Sequence, residues 1–431
     1  MRLELKILVI SPFFAPIIGG VESVLETTCG ALAQYGHSVR VLTSPVDEPD
    51  QRAQSFPIIR SDVLKVPSER SISPEEFDFI AAESLMKQIV KDYEPDVVHL
   101  HNFQMRQYAM FLTAFLSGVD KSRQVTINTL HNDADDPFCH YVLAYSPLDL
   151  NVTVTRRAAL ALMEGGVPPG KVAAIPNMLD TEKFRTANGR GIRKMLGIDI
   201  ETPLILFPSR LIGREGNLML DSKRGKGFLT LLRALPEILD AAPNAKVLLL
   251  GNDNVFGDKV SRSKRQLKEI ASKIGVNDGL LFFDDYVTNE MLPQIYSASD
   301  IVVSLSARET FGMVFVEGMA AGKPVIGVNS ESGGVPEVIK DGVNGFLVPK
   351  EDSHSTAKAI VKVIVDEEVR NRMGLEGIRI ARQKFDFKVV LPKLISTYAS
   401  LRDRKLGRAR LEQFQIESQK SLSDDQNLNV V

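Results

Sequence analysis

"KILVISPFFAPIIGGVESVLETTCGALAQYG", residues 6–36, decides the fold. Residues 6–13 are an almost continuous apolar run of strand length. A strand that is apolar at consecutive positions is covered on both faces, as in a parallel sheet lying between helices. A Gly19–Gly20 turn follows, and residues 21–36 carry apolar side chains at helical spacing. The same alternation continues through "HSVRVLTS" (37–44), "PDVVHLH" (95–101), "QVTINTL" (124–130), "LNVTVT" (150–155) and "KVAAIP" (171–176), separated mostly by helical stretches such as residues 75–93.

The pattern restarts after a connector, residues 177–201. "TPLILFPSRL" (202–211) reads as a new first strand and residues 227–243 as its helix. "AKVLLLGN" (245–252), "GLLFFD" (279–284), "DIVVSLS" (300–306) and "KPVIGV" (323–328) continue a second sheet. The expected fold class is therefore α/β, with two facing Rossmann-like doubly wound parallel-sheet domains and a deep cleft between them. The first domain is placed at residues 1–180 and the second at 181–385. A C-terminal helix at 386–402 is expected to pack back toward the first domain, and the polar stretch 403–431 to be flexible. Ligands of such sheets sit beyond the carboxyl ends of the strands. That rule brings the loops after Phe14, Arg210, Ser306 and Val328 to one opening.

Bulk properties fit this reading. The chain has 431 residues, too many for one ordinary core, with 44% hydrophobic and 25% charged residues. A net charge of −2 draws the protein neither to nucleic acid nor to anionic lipid, so bound anions need local cations. Two cysteines, Cys29 and Cys139, form no disulfide framework and suit a cytoplasmic setting. Glu4 and Lys6 interrupt the N-terminal apolar stretch, which is read as a buried strand rather than a leader.

Chemistry concentrates in "ARETFGMVFVEGMAAGKPVIG", residues 307–327. Glu309 falls in a strand-to-helix loop, Gly312 precedes the helix, and Glu317 lies about one turn into it. Free N–H groups at a helix start carry partial positive charge and suit a diphosphate. A carboxylate beside them can accept hydrogen bonds from vicinal hydroxyls.

Together with "GGVPEVIKDGVNGFLVP" (333–349), the stretch resembles the retaining glycosyltransferases of the GT-B fold, family 4, in which a Glu, seven residues and a second Glu form a signature. Weaker likeness extends to about Leu401 through "PFFAPIIGGVE", "DVVHLH", "TLHN", "IPNMLDTEKF" and "PSRL…KGF". The resemblance implies that Glu309 holds hydroxyls of the transferred sugar, helped by backbone N–H groups of Phe311, Gly312 and Met313. By the same resemblance Glu317 binds the ribose, Val314 and Val287 line the donor site, and Gly19 and Gly20 let backbone approach the sugar diphosphate. Arg210 and Lys226 neutralise the diphosphate as the leaving group departs. In the family few residues separate that Arg from that Lys. Here residues 211–225 intervene, so Lys223, Arg224 or Arg214 compete with Lys226. His131 ends a strand and so faces the cleft; the resemblance implies that it contacts the donor sugar or assists the reacting centre through its backbone. Asn102, Tyr108 and Asp133 sit in loops where an acceptor would dock.

The expected reaction moves a sugar from a nucleotide-diphosphate sugar, UDP-linked in preference to GDP-linked, to an acceptor hydroxyl. It retains configuration through same-face attack, because no second carboxylate is placed for double displacement. No cofactor and no metal are expected. His99, His101, His140 and Cys139 lack the spacing of a closed zinc site, and "DADD" (133–136) and "DD" (284–285) read as turn acids. The acceptor stays open among glycans, lipid-linked sugars and small molecules, as does peripheral contact at the inner membrane face. The alternatives are a sugar-nucleotide epimerase or hydrolase on the same scaffold and a non-catalytic sugar-nucleotide-binding subunit. A dinucleotide oxidoreductase is disfavoured, because the first turn lacks G-x-G-x-x-G.

Overall fold

The computed structural model describes residues 4–17, 19–46, 55–65, 76–132, 134–209, 225–250, 258–283, 287–306, 308–330 and 333–427, the side chains of 258–263 and 408–427 excepted. Its strands are β1 (Lys6–Ile10), β2 (Ser38–Thr43), β3 (Ile58–Arg60), β4 (Val97–His101), β5 (Val125–Leu130), β6 (Leu150–Thr153) and β7 (Val172–Ala174), then β8 (Leu204–Phe207), β9 (Lys246–Leu250), β10 (Leu280–Phe283), β11 (Ile301–Ser304), β12 (Val325–Val328) and β13 (Gly345–Val348). They form two sheets, ordered β3-β2-β1-β4-β5-β6-β7 and β10-β9-β8-β11-β12-β13. Every pairing between them is parallel, as Val9↔Val41, Val9↔His99 and Ile205↔Ile301 illustrate.

Alternate side chains of each inner strand feed separate cores, which is why strands such as β1 and β8 are apolar at consecutive positions. Leu8 and Ile10 pack with Leu100 and Phe111 on one face of the first sheet; Ile7 and Val9 pack with Leu25, Leu32 and Tyr398 on the other. In the second sheet Ile205 and Phe207 meet Phe228 and Leu231, while Leu204 and Leu206 meet Phe315 and Val316. Strand order reverses between β1 and β4 and again between β8 and β11. These are the topological switch points, where the loops diverge and leave a crevice at the carboxyl edge.

The chain crosses between the sheets twice, side by side. The Leu179 N–H donates to Phe385 O at 2.9 Å, and the Phe387 N–H returns a bond to Leu179 O at 2.9 Å. The final helix, Phe387–Asn427, then packs Val390, Leu391, Leu394, Tyr398 and Leu401 into the core of the first domain. It runs well past residue 402, where the sequence reading ended it. Between Arg408 and Asn427 there is neither Gly nor Pro, so nothing in the backbone stops the helix. The strand β3 was also missed. It has three residues and none is fully buried, too little for an apolar signal.

Loops at the carboxyl ends of the two sheets touch. Glu337 belongs to the second domain, yet its carboxylate accepts from the Arg156 N–H at 3.0 Å and the Arg157 N–H at 2.8 Å. These open the helix Arg156–Glu164, whose N-cap Thr155 accepts from the Ala158 N–H at 3.2 Å. The carboxylate thus answers the orphan donors and the positive end of a helix in the other domain. A second bridge runs from Asn289 Nδ2 to Glu26 Oε2 at 2.7 Å. Glu337→Ala should remove about 1 kcal/mol of capping energy and lower the thermal midpoint by about 2–4 °C. A melting curve that matches the parent would show that this contact carries no stability.

Candidate active site

Three loops converge at the switch point of the second sheet. One leads from β8 into the helix Phe228–Ala241, one from β11 into the helix Met313–Ala320, and one from β12 to Gly333 and Gly334. Glycine makes the convergence possible. Gly227 has φ +80, and a Cβ there would lie 2.3 Å from the Leu305 Cβ and 2.5 Å from the Leu305 carbonyl. Only a residue without a side chain can press so close to the end of β11. Gly312 has φ +86, and its Cβ would run into the Phe315 ring at 2.5 Å.

That packing delivers Lys226 to Glu309: Nζ lies 3.9 Å from Oε2, with side chains 29% and 24% exposed. The pair stays reachable by a ligand. The Glu309 carbonyl accepts from the Gly334 N–H at 3.0 Å, which anchors the loop. Phe311 turns its ring inward, edge-on to Phe385 at 5.5 Å. Its backbone N–H and that of Gly312 donate to no acceptor among the described residues. With the first-turn donors beginning at Met313, they make a set of amides beside the Lys226–Glu309 pair. Val314 is half-buried and Val287 buried.

Glu317 differs from Glu309. It is 4% exposed, on the helix Met313–Ala320, and accepts from the Tyr296 hydroxyl at 2.5 Å. Burial pushes its carboxyl up to about 7, against the opposing pull of the Tyr296 bond. The Tyr296 contact could not be found in the sequence, because nothing in a helical Tyr in residues 292–298 points to a carboxylate on another helix. Glu317 is therefore not a solvated helix acid.

In the first domain, Gly19 is the extended N-cap of the helix Gly20–Gln34, with φ −176, and a Cβ on Gly20 would meet nothing within 4 Å. Neither the extended backbone at Gly19 nor the open space at Gly20 calls for a glycine. His131, 8% exposed, follows β5; its N–H donates to Asn102 Oδ1 at 2.8 Å. Its Nε2 lies 3.0 Å from His101 Nδ1. Burial lowers the His131 ring to about 4, against the opposing pull of the Asn177 side chain, which hydrogen-bonds it.

Of the acceptor-site expectations, that for Tyr108 needs correction. Asn102 has its side-chain oxygen committed to His131 and shapes that loop, with φ +63. Tyr108 is 3% exposed, its ring among Phe103 and Phe111 at 5.9 and 6.4 Å, because it starts the buried helix Ala109–Ser117. The Tyr108 ring is closed off from an acceptor, whereas Asn102 stays half-buried. Asp133, Arg210, Arg214, Lys223 and Arg224 lie outside the described residues. Cys139 Sγ faces the Gln104 carbonyl at 3.5 Å and His140 the Ala134 carbonyl. Among the described residues no three His, Cys, Asp or Glu side chains gather into a metal-binding set, and no helix is long and apolar enough to cross a membrane.

Comparison with known proteins gives two family matches: the model for glycosyltransferase family 4 over residues 18–183 and that for glycosyl transferases group 1 over residues 220–379. N-acetyl-alpha-D-glucosaminyl L-malate synthase of Bacillus anthracis is 23% identical, with 91% of this chain and 97% of that protein aligned. D-inositol 3-phosphate glycosyltransferase of Corynebacterium glutamicum is 26% identical over 63% of this chain, and the alignment spans only 63% of that relative's length. Among solved structures, HepE of Anabaena in complex with UDP-glucose superposes with a TM-score of 0.70 at 20% identity, covering 92% of this chain and all of that one. Sucrose-phosphate synthase of Thermosynechococcus elongatus gives 0.71 at 20% identity, covering 92% and 99%.

Proposed function

The chain belongs to glycosyltransferase family 4, with the GT-B fold, and from that premise we propose that it transfers a sugar from a nucleoside-diphosphate sugar to an acceptor hydroxyl with retention of configuration. The observation that carries the reading is the Lys226–Glu309 pair at 3.9 Å, set among free amides at a topological switch point. Lys226 meets the charge that builds on the departing diphosphate, where a fixed cation lowers the barrier most. Glu309 accepts hydrogen bonds from sugar hydroxyls. Glu317, buried on the helix that follows this loop, accepts from the ribose. Gly19 and Gly20 are assigned to the diphosphate at the first sheet's own switch point, where an added Cβ on Gly20 would meet nothing within 4 Å.

Glu309 is tied to a lysine and assigned to hydroxyls, which suits gripping better than attack on the anomeric carbon. The acceptor oxygen then approaches from the face the leaving group vacates, and the departing phosphate oxygen takes its proton. UDP is the proposed nucleotide; the relative solved with UDP-glucose supports that choice. Lysine and helix-start amides supply the positive charge, so the reaction is proposed to need no metal.

The test is a screen of UDP- and GDP-sugars, reading nucleotide release with and without candidate acceptors. Acceptor-dependent release with the α-linkage conserved from an α-linked donor supports the reading. Donor consumption that ignores acceptors would favour an epimerase or hydrolase. Loss of turnover in EDTA, restored by magnesium or manganese, would overturn the metal-free step.

A further inference from the structure

The first sheet carries three buried imidazoles at its carboxyl edge, of which only His131 is expected at the donor sugar. His99 and His101 both lie on β4 and stack with ring centroids 4.1 Å apart. His101 in turn meets His131 edge to edge, with ring centroids 5.3 Å apart and planes 24° from parallel. His99 is fully tied: its Nδ1 meets the Tyr398 hydroxyl at 2.6 Å and its Nε2 the Thr129 hydroxyl at 2.7 Å. Tyr398 comes from the final helix, so that helix buttresses the base of the stack.

The upper pair is constrained differently. His101 Nδ1 and His131 Nε2 are 3.0 Å apart and both rings are buried. A nitrogen–nitrogen hydrogen bond holds one proton: one ring donates and the other accepts. Burial keeps all three rings neutral, His99 lowered to about 3, His101 lowered well below its ordinary value and His131 lowered to about 4. Each upper ring therefore has one N–H, and fixing the shared proton fixes the tautomer of both. On the far edge, His131 Nδ1 is buried and meets no described donor or acceptor at full hydrogen-bond geometry, the Asn177 side chain being the polar group beside the ring. Buried polar atoms are seldom left so.

We infer that His101 is a positioning residue: it occupies the Nε2 edge of His131, locks that ring's tautomer and orientation, and leaves the Nδ1 edge for a hydroxyl of the donor sugar. A sugar hydroxyl both donates and accepts, so it completes Nδ1 in either tautomer, provided the ring does not flip. Asn102 fixes the backbone of His131 and His101 fixes its ring; neither touches substrate. The inference rests on the reading of His131 as a donor-sugar contact.

The experiment compares His101→Asn, His101→Phe and His131→Ala with the parent. Turnover of the sugar nucleotide selected by the screen, calorimetric binding of UDP alone, and imidazole nitrogen shifts of histidine-labelled protein are read for each. The Asn amide reaches about as far as Nδ1 and can still bond His131. His101→Phe should cut kcat by about 10–100-fold, leave UDP affinity within about twofold, and let His131 populate both tautomers, while His101→Asn recovers most of the loss. A merely structural role would weaken UDP binding along with kcat and show no rescue, and that result overturns the proposal, as do unchanged kcat and nitrogen shifts in His101→Phe. If His131→Ala turns over like the parent, it is the assignment of His131 that falls. Should His101→Phe not fold, the parent's spectrum decides: one neutral His131 tautomer at pH 6 supports the lock, and exchange between two overturns it.

Discussion

Glu309→Gln is expected to lower kcat by about 10²–10³-fold, the loss that follows removal of one preorganised polar group aimed at transition-state charge, with UDP affinity little changed. The argument is one of charge and place. Glu309 stands on the loop after β11 and Lys226 on the loop after β8, the two strands that flank the switch point. Gln keeps the shape and can still accept from one hydroxyl. It removes the negative charge that orients the Lys226 ammonium and strengthens the grip on sugar hydroxyls as positive charge grows at the anomeric carbon. Lys226→Ala should fall by a similar factor, because diphosphate charge then builds against fewer cations. The two act on one event, so the double variant should lose less than the product of the single losses. Steady-state kinetics at saturating acceptor, with calorimetry for UDP, reads all of this. Parent-like kcat in both single variants would remove the pair from the reaction.

How much of this was legible without coordinates depends on where each signal lives. Strands such as β1 and β8 announced themselves, because burial on both faces forces consecutive apolar residues. Glu309 and Glu317 were legible through their local setting of Phe-Gly before a helix. Lys226 stands apart from its neighbours in sequence because Gly227 and a helix follow it directly, and the close approach of Gly227 to Leu305 is the physical reason it reaches Glu309. Contacts that join distant parts of the chain were not legible. Glu337 capping residues 156–157, Tyr398 under His99, and Asn102 on His131 each depend on two elements meeting in space. Tyr108 misled because its polar loop neighbours hid the aromatic core beneath.

Glu317→Gln should stabilise the free protein at alkaline pH while weakening donor binding. In the folded chain the Glu317 carboxyl is pushed up to about 7 by burial, above its ordinary value of 4.5. Between those pH values the folded state holds a proton that the unfolded state has released, so stability falls as pH rises through that window. Above about pH 7 the full cost of an ionised, buried carboxylate is present, of order 3 kcal/mol from the width of the window. Gln carries no such cost, and its side-chain oxygen still accepts from the Tyr296 hydroxyl. The variant should therefore melt higher than the parent at pH 8 and converge with it near pH 4.5. Retaining a destabilising acid at this position makes sense if its charge is used when the nucleotide arrives: an ionised carboxylate accepts from two ribose hydroxyls, and the charged hydrogen bonds lost with Gln are worth about 10–100-fold in affinity. Calorimetric titration of UDP at pH 8 and melting curves across pH 4.5–8 test both halves. A variant that melts with the parent at every pH and binds UDP equally well would show that Glu317 is neither strained by burial nor engaged by the ribose.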